Sequence, residues 1–109
     1  MPTEQPGGGV PWTRICAAPA KAGGRVEIRG WVTHRRSSGK VQFLVLRDGS
    51  GVIQCVAGLK DLAESEWEAC ARLGQESAVV VRGTLRADAR APGGVELGMD
   101  HLRVVSEAE

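Results

Sequence analysis

The sequence predicts an all-β fold: a five-stranded Greek-key barrel with one helix between strands 3 and 4. Three observations lead there. Apolar and polar residues alternate with period two in five separate stretches between Arg25 and Val105. Glycine-bearing turns stand between them, notably Arg36-Ser37-Ser38-Gly39-Lys40, Asp48-Gly49-Ser50-Gly51 and Ala91-Pro92-Gly93-Gly94. One stretch alone, Leu59 to Leu73, shifts to a period near 3.6. At 109 residues the chain has room for one domain and one modest core.

Residues 1–22 are expected to be a flexible tail and cover segment. The first eleven, rich in Pro and Gly, carry little to bury, whereas Trp12 and Ile15 are expected to cover one end of the sheet and Pro19 to interrupt any helix. The folded domain is expected over residues 23–105. Its first strand runs from about Arg25 to Arg35, with Val26, Ile28 and Val32 inward and Glu27, Arg29 and Thr33 outward. Gly30 inside it suggests a bulge or sharp bend.

The second strand, Val41 to Arg47, is apolar on both faces, so one of them is either covered or a contact surface. The third, Val52 to Val56, puts Ile53 and Cys55 on one side and Gln54 on the other. In the amphipathic stretch the repeat of Leu59, Leu62, Trp67, Cys70 and Leu73 predicts a helix, with Asp61 and Glu64 as a capping box and Gly74 as its stop. Trp67 is expected in the core. The fourth strand covers about Ser77 to Arg86, with Gly83 as a further bend, and the fifth Val95 to Val105; residues 106–109 form an acidic tail. This β-β-β-α-β-β order is that of an OB-fold barrel.

Composition narrows the function. Hydrophobic residues at 42% and charged residues at 25% are ordinary for a globular chain. There is no apolar run of the ~20 residues a membrane span needs and no signal-peptide pattern, so a cytoplasmic location is expected. Three cysteines, Cys16, Cys55 and Cys70, without a C-x-x-C or a nearby His pair, argue against a disulfide framework and a zinc site. His34 and His101 stand far apart, with no P-loop and no G-x-G-x-x-G cradle, so no catalytic residue, metal or cofactor is expected in this chain.

Binding is the better reading. Overall charge is +1, yet from Arg25 to Arg47 six basic residues, Arg25, Arg29, Arg35, Arg36, Lys40 and Arg47, face Glu27 alone. Such a segment suits an anionic partner, although strand edges also carry Lys and Arg for solubility. If Leu44, Leu46, Ile53 and Cys55 form the core, Phe43 and Gln54 share the opposite face. There a ring offers a stacking platform for unpaired bases, and an amide can read a base edge. Arg29, Arg36 and Lys40 add charge for phosphates. The competing reading puts Phe43 in the barrel, Gln54 at a solvated strand position and Arg36 in a solvated turn.

Several stretches carry a resemblance to a known family. Gly30-Trp31-Val32, Arg35-Arg36-Ser37-Ser38-Gly39-Lys40, Phe43-Leu44-Val45-Leu46-Arg47-Asp48-Gly49 and Ile53-Gln54-Cys55-Val56 resemble the N-terminal anticodon-binding domain of class IIb aminoacyl-tRNA synthetases. Ser37-Ser38-Gly39-Lys40, Gln75-Glu76-Ser77, Val81-Arg82-Gly83-Thr84 and Arg90-Ala91-Pro92-Gly93-Gly94 are similar to the asparaginyl enzymes within that class. Aspartyl enzymes share the first half more than the second. The similarity covers residues 24–105. It implies that the domain grips a tRNA anticodon loop whose middle base is uridine, with Phe43 as the stacking ring, Gln54 as the base contact, Arg36 as the basic residue and Glu96 as an acidic residue of the last strand. Val95 replaces an aromatic in the family's pattern, so a ring contact is lost there. The motifs of the family's catalytic domain do not occur within residues 1–109. The chain alone is therefore expected not to activate asparagine, and to be either an excised domain or a free-standing relative. A whole enzyme of this kind would use ATP and Mg and form a homodimer. The alternatives are a general single-stranded nucleic-acid binder and a dimerisation module.

Overall fold

The alternating stretches become five strands in a computed structural model of the chain, which describes residues 10–107. They are β1 (Arg25–Ser38), β2 (Val41–Arg47), β3 (Val52–Gly58), β4 (Ala78–Ala87) and β5 (Val95–Ser106), with one α-helix, α1 (Glu64–Ala71). Most of the flexible tail expected over residues 1–11, and the end of the acidic tail, lie outside the described residues. The strands close into a barrel in the order β1-β2-β3-β5-β4, and β4 pairs back onto β1. Only the β3–β5 pair is parallel. This is the expected OB-fold barrel.

Inward alternation fills the barrel. Leu44 and Leu46 of β2, Ile53 and Cys55 of β3, Val79, Val81 and Leu85 of β4, and Leu97 and Met99 of β5 are all buried. Each such side chain contributes roughly 1.5–3 kcal/mol of transfer free energy. Before β1, a 3₁₀ helix (Ile15–Lys21) containing Pro19 lays Ile15 and Ala18 on this core. The Asp48 carboxylate holds the segment in place by accepting from the Ile15 N–H at 2.9 Å. Trp12, expected to cover the sheet, is instead 57% exposed.

The helix is shorter than its periodicity suggested. Asp61 does not cap it: its carboxylate turns back to accept from the Gly58 N–H at 2.8 Å, and Ala63 takes the N-cap position. A tight turn therefore occupies the first part of the predicted helix and leaves Leu59 exposed, while Leu62, Cys70 and Leu73 still plug the barrel end. Helix and barrel are joined through Glu66, which accepts from the Leu102 N–H and pairs with His101. Gly74 is not the stop, because the helix already ends at Ala71 with Arg72 as C-cap.

The irregularity in β1 also lies elsewhere than expected. Gly30 stays in register with Val79. Glycine is required there because a Cβ would sit 2.6 Å from the Arg47 carbonyl oxygen of the next strand. The bulge falls at Thr33, where the β1–β2 register slips between Val32 and His34. Thr33 Oγ1 donates to the Val45 carbonyl, Gln75 Nε2 donates to the Thr33 carbonyl, and the Glu76 N–H donates to the Val32 carbonyl. Glu76 adopts φ 68°, a left-handed conformation costing ~1 kcal/mol or more. The hydrogen bond from its N–H to the Val32 carbonyl holds it over the bulge, beside Arg47.

A second slip, opposite Arg82 and Gly83 of β4, leaves Asp100 as the extra residue on β5, so the irregularity expected at Gly83 falls on the neighbouring strand. Here the two strands nearly touch: a Cβ on Gly83 would lie 2.0 Å from the Gly98 carbonyl oxygen. Gly83→Ala is therefore expected to force the β4–β5 ladder apart. A loss of about 3 kcal/mol, lowering the melting temperature by roughly 10 °C or more, checks this in thermal unfolding.

Glu27, expected on the wet side, is 6% exposed between two arginines. Arg29 Nε donates to it at 2.7 Å and Arg82 Nε at 3.0 Å. Burial alone would raise its carboxyl pKa, but the two hydrogen bonds and the charges behind them hold it below its ordinary value. A depressed carboxyl stabilises the fold above its unfolded value of about pH 4.3, and that contribution disappears as pH falls through the folded-state value. Glu27→Gln should therefore flatten the fall in unfolding free energy below about pH 4.3, measured by urea titration at several pH values.

Candidate nucleic-acid interface

The Thr33 bulge determines which side chains meet. Before it the even-numbered residues of β1 point inward; after it His34 and Arg36 point outward, beside Val45 and Phe43 of β2. Two rows then cross the outside of the barrel. One is Arg36, Phe43, Val56, Gly98 and Thr84; the other is His34, Val45, Gln54, Glu96 and Arg86. Phe43 and Gln54 are only partly buried and lie on this outer face, so the ring does not fill the barrel.

The rows are chemically distinct. In the first, the Arg36 guanidinium lies over the Phe43 ring, 4.3 Å from its centre. In the second, Gln54 Nε2 donates to Glu96 Oε2 at 2.7 Å, and Arg86 Nη2 donates to Glu96 Oε1 at 2.9 Å. A cleft of about 300 Å³ opens between them, lined by His34, Arg35, Arg36, Phe43, Val45 and Gln54. It offers a ring face, an amide and cations together, the groups that hold an unpaired base and its phosphate.

Of the residues singled out in the sequence, Arg36, Phe43, Gln54 and Glu96 are brought together. Lys40 sits in the two-residue turn between β1 and β2, at the rim of this face. Arg29 is elsewhere. It lies seven residues back along β1, on a stretch paired with β4, bonded to Glu27 and stacked on Trp12 at 4.5 Å. It lines a separate cleft with Trp12 and Trp31. Val95 is buried, so its side chain adds nothing to the outer face.

Three arginines of the basic segment are paired with carboxylates: Arg25 with Asp100, Arg29 with its near neighbour Glu27, and Arg47 with Glu76. Among the described residues no carboxylate pairs with Arg36 or Lys40. Free positive charge is thus concentrated at the Phe43 end of the face. Sequence reasoning missed His34, Val45 and Arg86. His34 and Val45 were hidden by the change of phase at Thr33, and Arg86 depended on the β4–β5 register.

Residues 26–105 match the tRNA anti-codon family, described as an OB-fold nucleic acid binding domain. The asparagine–tRNA ligase of Symbiobacterium thermophilum is 48% identical over 98 residues, which make up 90% of this chain and 22% of that ligase. That of Thermoplasma acidophilum is 48% identical over 85 residues, 78% of this chain and 20% of the ligase. The chain thus spans about a fifth of the length of these relatives. Among solved structures, the asparaginyl-tRNA synthetase of Pyrococcus horikoshii complexed with asparaginyl-adenylate superposes with a TM-score of 0.77 at 37% identity, covering 84% of this chain and 21% of that one. The aspartyl tRNA synthetase of Entamoeba histolytica does so with a TM-score of 0.79 at 29% identity, over the whole of this chain and 25% of that one. Barrel order, outer face and matched span agree: the chain belongs to the tRNA anti-codon family of OB-fold nucleic acid binding domains.

Proposed function

We propose that this domain reads the anticodon loop of an asparagine tRNA on behalf of an asparagine–tRNA ligase, and that the cleft beside Phe43 takes the central uridine. The observation that carries the reading is the pairing, on one outer face, of an unburied ring with an amide fixed by Glu96. A base stacks on Phe43 in the place where the Arg36 guanidinium lies. Arg36 then swings to a neighbouring phosphate, and Lys40 at the rim meets the backbone further along. Gln54 meets the edge of the base. In such a ligase, amino-acid activation with ATP and Mg belongs to the part of the protein that this chain does not match, consistent with its spanning about a fifth of the relatives' length.

Two substitutions test this reading with an anticodon stem-loop. Phe43→Ala should weaken binding by ~1–3 kcal/mol while leaving thermal unfolding almost unchanged, because the ring is outside the core. A variant that binds normally would exclude the stacking role. Arg36→Ala should lower the slope of log affinity against log salt by ~0.7 for the lost phosphate contact, read from titrations across a salt series. Replacing the central uridine separates anticodon reading, which is lost, from sequence-blind single-strand binding, which is kept.

A further inference from the structure

The stretch Gln75-Glu76-Ser77 lines no part of the cleft, yet it meets β1 where the phase of that strand changes. The Val32 N–H donates to the Ser77 carbonyl at 2.9 Å, and the Glu76 N–H donates to the Val32 carbonyl at 2.6 Å. Gln75 Nε2 donates to the Thr33 carbonyl at 2.8 Å, and Arg35 Nε donates to the Leu73 carbonyl at 3.3 Å. Residues 73–77 thus carry the β4 side of the barrel past Trp31↔Ala78, the last pair of the β1–β4 ladder.

Two registers meet in β1. Pairing with β4 sets its phase as far as Trp31, and the hairpin with β2 sets it from His34 onward. One residue is left over between them, and wherever it sits it interrupts the ladder. We propose that Gln75 is a positioning residue: its amide pins the extra residue at Thr33 and so keeps His34 and Arg36 on the outer face. Were the extra residue to move toward the hairpin, the barrel phase would extend with it, turning His34 inward first and Arg36 next. The first step removes one wall of the cleft, and the second takes the guanidinium off the Phe43 ring. The consequence for RNA rests on the anticodon reading above; the positioning itself does not.

The test is Gln75→Met, which keeps the reach of the side chain and removes its donor. Gln75 is exposed, so the variant should fold. In the free domain, NMR reads the positioning directly. The Arg36 side chain lies over the Phe43 ring, whose ring current shifts its protons upfield, and Q75M should shrink that shift. An unchanged shift overturns the inference. With an anticodon stem-loop, Q75M should weaken binding by roughly three- to tenfold, the worth of one hydrogen bond. Most of that loss should vanish when residue 36 is already changed by Arg36→Ala, because the two side chains act through one contact. An equal loss in both backgrounds marks a merely structural effect and overturns the inference, as does no loss in either. If the unsubstituted domain does not bind the stem-loop, the anticodon reading fails alone, and the ring shift still decides the positioning.

Discussion

The face that meets the cleft depends on one extra residue in β1. Without the Thr33 bulge, strict alternation from Val32 would turn His34 and Arg36 toward the barrel interior. An imidazole and a guanidinium would then need burial, and Phe43 would lose the partner that lies on its ring. With the bulge the phase inverts, Arg36 joins Phe43, and Arg35 turns instead toward the barrel end, where its Nε reaches the Leu73 carbonyl. The inversion is held from outside by residues 75–77, and the strained backbone of Glu76 is part of that clamp. The loop after the helix, remote from the cleft in sequence, is thereby tied to its geometry.

The electrostatics follow from the same arrangement. A run of six basic residues in one segment suggests a broad positive surface. Folding brings Asp100, Glu27 and Glu76 onto three of the arginines and, among the described residues, leaves Arg35, Arg36 and Lys40 without a carboxylate partner. Glu96 lies beside that charge yet carries its own arginine. The exposed pairs among these, Arg25–Asp100 and Arg47–Glu76, add little stability; with Glu27 they restrict where an anion finds an unpaired cation.

The barrel was legible because inward alternation, glycine turns and a single change of period each signal their element locally. Phe43 and Gln54 were legible for the same reason: Leu44, Leu46, Ile53 and Cys55 declare the core, and the residues between them must face out. What the sequence did not disclose was set by pairing over long separations. The displaced bulge, the burial of Glu27 between Arg29 and Arg82, the turn taken by Asp61 and the addition of Arg86 to the Glu96 network all depend on a neighbouring strand or turn closing at a particular register. Arg29 was misplaced because period two places a side chain on a face but does not say how far along the strand the cleft lies.

The parallel contact between Gln54 and Glu96 joins residues 42 apart, across the seam where the barrel closes. The β1–β2–β3 meander requires only local pairing, whereas this seam carries the larger loop-closure entropy and is expected to form late in folding. The cleft is thus divided in time as well as in space: Phe43 and Arg36 meet with the first hairpin, and Gln54 acquires its fixed amide only when β5 arrives. The assembled outer face is then a property of the completed barrel, and a ligand that requires the finished cleft stabilises the closed state by mass action.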